Sequence, residues 1–286
     1  MARRKWGLLL LELLTALIFV VYFSPFYILV VNAFKNRFQV LTDVLGLPES
    51  WSQIGANFAA VVNNPNLKFW ASAGSSVIIT FFSLAAISLF ASMAAWVLVR
   101  RKSRVSGWIF MMYVAAMVVP FQVVMLPLVS WMRMVHEFSG VPMLRTFHGL
   151  IFTYLGFGCS LSIFLYHGFI KGIPLELEQA ATIDGCSKPQ VFFKIVRPIL
   201  RPITVTVLVL NGIWIWNDYL LPLLMLGTGN DIQTIPLAIA GFVGSFVKQW
   251  ELIMLALLMA IVPVVIFYLF AQKHIIKGMV DGSIKG

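Results

Sequence analysis

IPLELEQAATIDGCSKPQVFFKIVRPILRPI, residues 173–203, is the longest run of mixed polarity in a chain that is otherwise mostly apolar. Pro174 suits the first turn of a helix, where its missing N–H leaves no bond unmade and its φ is already helical. Residues 175–184 then read as about three helical turns. Gly185 stands where a left-handed residue stops a helix without a Cβ penalty. Ser187 and Gln190 match a capping box with Pro189 in the first turn, so a second helix starts at once and runs to Arg197. Pro198 and Pro202 are expected to end it. The pattern is a short helix, a sharp glycine turn and another short helix, framed by apolar spans. Such a rigid polar knuckle is suited to being gripped by something outside the membrane.

Composition sets the class. The 286 residues are 60% hydrophobic and 11% charged, against roughly 25% charged in soluble domains, which makes this a membrane protein. The formal charge of +10 would ordinarily raise nucleic acid as a partner, but no clustered basic stripe with interleaved aromatics is present, and nucleic acid is excluded. Cys159 and Cys186 cannot build a disulfide framework and have no metal-ligand spacing around them, so they read as packing residues and no metal site is expected. His136, His148, His167 and His274 are scattered and suggest no relay.

Outward from the knuckle the chain divides into apolar spans and polar turns. Residues 1–31 hold a basic start (Arg3, Arg4, Lys5) and a first span at 6–31, too long for a signal-peptide core. A polar extracytoplasmic loop follows at 32–70. Residues 71–272 form the core, with spans at 71–99, 107–130 (interrupted by Pro120 and Pro127), 150–169, 204–226 and 250–270; the knuckle lies between the fourth and fifth. A mixed loop is expected at 131–149, and 273–286 is a polar tail. The fold class is an all-α integral membrane protein with six transmembrane helices. No soluble domain and no internal repeat is visible. With the N-terminus cytoplasmic, 15 of the 21 Lys and Arg fall on the inner side, which places both termini and the knuckle in the cytoplasm.

The form I-P-x-E-L-E-x-A-A-x-I-D-G-x-S at residues 173–187 resembles the cytoplasmic "EAA" loop of permease subunits from binding-protein-dependent ABC importers, and is most similar to the maltose-type sugar permeases. Trp216-Asn217-Asp218-Tyr219 agrees, as does the tail Ala271-Gln272-Lys273-His274-Ile275-Ile276-Lys277-Gly278 ending Gly282-Ser283-Ile284-Lys285-Gly286, and weaker similarity covers nearly the whole chain. The resemblance implies the type I importer permease fold, a bacterial or archaeal cytoplasmic membrane, and a sugar or oligosaccharide as cargo. Implied partners are a second homologous permease, two ATPase subunits and an extracytoplasmic solute-binding protein, in contact with membrane lipid. No cofactor is implied in this chain; ATP and Mg belong to the ATPase subunits. The chain has no G-x-x-x-x-G-K-[ST] and cannot itself be a P-loop ATPase, so it is not expected to be an enzyme.

The resemblance makes Glu178, Gln179, Ala180, Ala181, Asp184 and Gly185 the ATPase-docking residues. Ala180 and Ala181 offer a low face, and Glu178 and Asp184 can contact basic groups on a partner; the plainer alternative is that both acids are solvated helix residues. The family usually has Glu six residues before the glycine, and here that position is Gln179, with Glu178 just before it. Trp214, Trp216, Asn217 and Asp218 have two open roles. An Asp in a span must face a cavity or a neighbouring helix, so the group either lines the transport path, the tryptophans offering flat faces to a sugar ring, or fixes helix packing. Lys277, Gly278, Gly282 and Lys285 belong to a tail that either reaches between the ATPase subunits or lies on acidic lipid. The Gly241-Phe242-Val243-Gly244 stretch reads as a short helix at the cavity mouth facing the binding protein, or an interfacial helix without a partner. Other readings are a permease for glycerol phosphate or a polyol, a structural scaffold, which would need no capped knuckle, and an ion-coupled secondary carrier. A carrier would call for inverted repeats and midplane ion ligands; neither repeats nor several buried carboxylates are visible.

Overall fold

The computed structural model describes residues 2–243 and 249–283. The helices in chain order are α1 (Ala2–Ala33), α2 (Arg37–Thr42), α3 (Gln53–Val62), α4 (Phe69–Arg100), α5 (Arg104–Ala116), α6 (Phe121–Ser139), α7 (Phe147–Lys171), α8 (Glu176–Ile183), α9 (Lys188–Val191), α10 (Arg197–Ile199), α11 (Arg201–Asn217), α12 (Leu220–Leu226), α13 (Ile235–Val243) and α14 (Trp250–Ser283). A π-helical turn, Phe192–Val196, joins α9 to α10. Among the described residues four helices (α1, α4, α7, α14) are long and apolar enough to cross a bilayer, and the number reaches six when each of two bent pairs is counted as one span. The fold is all-α and multi-pass.

The bends correct two readings. The third span breaks at Pro120 as expected, but into two helices rather than a kink: α5 and α6 meet at 109°, because Pro120 takes an extended backbone (φ −62°, ψ 135°) and disfavours helix in the residue before it. Pro127 stays inside α6, which runs to Ser139 and stops at Gly140 with φ +72°, so most of the expected 131–149 loop is helix. The second knuckle helix does not end at Pro198, which lies inside α10; the break comes at Leu200, where α11 departs at 76°. The π turn ends at Val196, two residues before Pro198, and contains Lys194 four residues back; widening a helix is one way to accommodate a proline that clashes with the carbonyl at that position. The backbone of 273–283 continues α14; the region holds no proline, and isolated glycines each weaken a helix by only about 1 kcal/mol.

Two compact units emerge. In the first, Met1–Trp70 with Ala238–Pro263, the polar loop folds back on the end of α1. Asn32 Nδ2 donates to Val44 O at 2.9 Å, Lys35 Nζ to Asp43 O at 2.5 Å, and Asn57 Nδ2 to the carbonyls of Ala33 and Lys35, each at 2.9 Å.

The second unit, Ala71–Leu237 with Val264–Gly286, is built round α7, which packs on α5, α11 and α12. Ile87, Ala91 and Ala95 form one buried stripe of α4, and Tyr154, Ile163, Tyr166 and Ile170 are buried on α7. Gly158 permits the closest approach: a Cβ there would lie 2.4 Å from Ile87 Cδ1 and 2.9 Å from Asn211 Oδ1. Three polar rungs join α7 to the fifth span. Tyr166 OH donates to Thr204 Oγ1 at 3.0 Å, Asn211 Nδ2 to Ser162 Oγ at 3.0 Å, and Tyr154 OH to Asp218 Oδ2 at 3.1 Å. The numbers fall along one helix as they rise along the other, which is antiparallel pairing. In hydrocarbon such bonds are worth roughly 0.6–1.7 kcal/mol each and set register.

Candidate functional site

The knuckle is assembled from local caps and one long-range clamp. Glu176 and Glu178 lie in the first turn of α8, where carboxylates favour the positive helix end. At the other end Gly185 has φ +85°. Cys186 N–H donates to Ala181 O at 2.9 Å and Gly185 N–H to Thr182 O at 3.1 Å, the paired bonds of a Schellman stop. The next helix begins with Ser187 N–H donating to Gln190 Oε1 at 2.8 Å. Cys186 and Cys159 pack against the core as free thiols.

Glu178 points inward. It is 7% exposed, and accepts from Arg100 Nε at 2.8 Å and from Trp96 Nε1 at 2.9 Å. Arg100 Nη2 also donates to Ile173 O at 3.0 Å, and the Trp96 ring lies 5.4 Å from that of Phe192. The carboxylate read as facing a partner is thus held inside the chain, and the residues that hold it, one turn apart on α4, carried no local sign of the role. Ala181 is also buried, so the low face is offered by Ala180 alone. This follows from helix periodicity: 178 and 181 share the inner face, while Glu176, Gln179, Ala180 and Ile183 share the outer one. All four are exposed, as are Asp184 and Gly185. Ile183 is 86% exposed, a large apolar side chain presented outward that sequence reading passed over. A groove of about 920 Å³ runs beside this face, lined in part by Arg101, Gln179, Thr182, Ile183 and Lys188.

The four residues read as a possible path are separated by the structure. Trp214 lines a cleft of about 740 Å³ with Trp131, Phe152, Thr153, Ser160 and Asn211, its ring edge-on to Tyr154 at 5.4 Å. Trp216, Asn217 and Asp218 do not line it. Asn217 Nδ2 donates back to Ile213 O at 2.8 Å. Asp218 caps the restart of the broken span: its Oδ1 accepts from the N–H of Leu220 at 3.0 Å while Oδ2 takes the Tyr154 hydroxyl. These contacts are those of the packing role. Asn211 was missed, though a signal existed: Thr204, Asn211 and Asp218 are spaced by seven, which puts them on one helix face.

Lys285 and Gly244 lie outside the described residues. Lys277, Gly278 and Gly282 fall on the described backbone of α14, and Gly241 lies in α13. Among the described residues no group of three His, Cys, Asp or Glu could hold a metal ion.

Residues 86–281 match the family described as "Binding-protein-dependent transport system inner membrane component". The chain belongs to this family. It is therefore a permease, a multi-pass transport subunit. Relatives include a "Probable starch degradation products transport system permease protein" of Thermoanaerobacterium thermosulfurigenes, 43% identical over 276 residues covering 96% of each chain. A "Melibiose/raffinose/stachyose import permease protein" of Bacillus subtilis (strain 168) is 33% identical over 294 residues, covering 100% of this permease and 99% of that one. A crystal structure of a bacterial ABC transporter involved in the import of the acidic polysaccharide alginate contains a chain of the same fold, with a TM-score of 0.75 at 20% identity, covering 96% of this chain and 97% of the other.

Proposed function

We propose that this permease is one half of the translocation pathway of an ATP-driven importer for a sugar or oligosaccharide, and that α8 is the element through which an ATPase subunit moves it. The observation that carries the reading is the division of α8 into two faces: Glu178 clamped to Arg100 and Trp96 on one, Ile183, Ala180 and Gln179 presented on the other. A lever must be rigid where it joins the machine and adhesive where it is gripped. Swinging a two-state equilibrium from 1:99 to 99:1 takes roughly 5.5 kcal/mol, which six spans have no means of generating. The cargo class rests on the relatives, whose names specify starch products and raffinose-type sugars, and the aromatic cleft around Trp131, Phe152 and Trp214 supplies flat apolar faces of the kind sugar rings stack on.

In this reading the assembly contains a second homologous permease, two ATPase subunits that bind ATP and Mg, and an extracytoplasmic solute-binding protein. The α8 end and both termini face the cytoplasm. The domain plan is a first span (1–31), an outer loop (32–70), a core (71–272) and a tail (273–286), with Lys277, Gly278, Gly282 and Lys285 contributing to the ATPase contact. The deciding experiment reconstitutes the assembled complex in vesicles with its binding protein. Uptake of labelled oligosaccharide should require internal ATP and disappear without the ATPase subunits; uptake by the isolated permease on an ion gradient would sink the reading in favour of a secondary carrier.

A further inference from the structure

A third cavity, of about 550 Å³, shares Arg100 and Arg101 with the groove beside α8. Its polar lining comes from Arg101, Lys102, Ser103, His167 and Lys171, and its apolar wall includes Phe110 and Met111. Arg100 has its own carboxylate, Glu178. Arg101, Lys102 and Lys171 have none among the described residues, and all three are exposed at the cavity rim. His167 is 8% exposed and fixed by stacking on Phe110 at 3.7 Å; its ring lines the cavity and makes no hydrogen bond among the described residues. The N-terminus of α5, thirteen residues long, opens at the same place, capped by Ser103, whose Oγ accepts from Ser106 N–H at 3.1 Å. The N–H groups of Arg104 and Val105 have no acceptor within the helix, as holds for the first residues of any helix. Three uncompensated cations and a helix N-terminus converge and favour an anion, and the buried imidazole beside them can offer a ring N–H as a donor. The volume falls within the roughly 300–1,000 Å³ of small-molecule sites.

We propose that this cavity seats the phosphate of an anionic phospholipid headgroup. The shared chemistry is a phosphate group, and two features favour a lipid over a free ion. The wall formed by Phe110 and Met111 is apolar where acyl chains would lie. Trp108, 74% exposed one helical turn into α5, is the kind of residue that sits at headgroup depth. Basic pockets between spans near the inner interface suit such headgroups. The assignment rests on the permease reading only in placing this end of the helices at the inner leaflet.

The test uses the assembled complex in mild detergent, incubated with equal amounts of phosphatidylglycerol and phosphatidylcholine, with retained lipid read by mass spectrometry. The wild type should enrich phosphatidylglycerol. The double variant Arg101→Gln/Lys102→Gln should lose that enrichment by about 30-fold, on the order of fivefold per cation. His167→Phe keeps a stacking ring but removes the nitrogens, and should lose less. Arg133→Gln, an exposed cation on α6 away from the cavity, should match the wild type. Equal retention of both lipids by the wild type, or undiminished enrichment by the double variant, would overturn the proposal. Excess inorganic phosphate should leave enrichment intact; displacement by it would assign the site to a soluble anion instead. Retention is read without turnover, so a complex that fails to import sugar leaves this result standing.

Discussion

Glu178 and Ile183 are five residues apart and do opposite things. Glu178 is a buried carboxylate with two side-chain donors, and removing one partner of a buried pair leaves an uncompensated charge, a loss of about 3–5 kcal/mol. Glu178→Ala and Arg100→Ala should each lower the thermal unfolding temperature of the purified complex sharply, while the double variant should lose well under the sum; strict additivity would show that the two do not act as a pair. Ile183→Ser should leave the unfolding temperature almost unchanged, since an 86% exposed side chain adds little to the fold. Burying an isoleucine contributes about 1.5–3 kcal/mol, so co-purification of the ATPase subunit should fall by roughly tenfold or more and uptake should fall with it. Unchanged association would remove Ile183 from the contact. The sequence marked Glu178 as important but not which way it faces, because its partners lie 78 and 82 residues away and no local spacing records such a contact.

The turn between α8 and α9 was legible because caps are local chemistry. Gly185, Ser187 and Gln190 state their conformations within four residues, and the left-handed glycine and the Gln190 cap are both present. The spans were harder. Hydropathy finds apolar stretches but does not show how sharply a chain breaks on the way, so the interruption at Pro120 was read without its 109° angle and the 76° bend was placed at Pro198 rather than Leu200. Pro120 carried the first of these signals and Leu200 carried none. At this scale Gly185→Val should abolish uptake at wild-type membrane levels, because a β-branched residue is strained at φ +85°. Gly185→Asn, which tolerates the left-handed region, should retain a measurable fraction. Normal uptake by the valine variant would refute the requirement for this turn.

The three rungs between α7 and the fifth span make a register lock for the second unit. Asn211→Leu removes the middle rung and should cost about 0.6–1.7 kcal/mol, read as a modest fall in unfolding temperature with transport largely kept. Gly158→Val should be far worse, since its Cβ would meet Ile87 and Asn211 at once. Adding Ile87→Ala should restore part of the loss; no rescue would mean that the clash is not the cause. The seven-residue spacing of Thr204, Asn211 and Asp218 was visible in the sequence, but their partners on α7 became known only once the two helices were seen antiparallel.

Arg100 also has a history in time. It leaves the ribosome 78 residues ahead of Glu178, which at synthesis rates of about 5–20 residues per second leaves it without its counter-ion for roughly 4–16 s. In the proposed orientation it is, during that interval, one of the cations that hold this end of α4 at the cytoplasmic surface. Once α8 has been made, the same guanidinium closes on the newly arrived carboxylate. On that reading one side chain orients the nascent protein first and fastens the finished one afterwards.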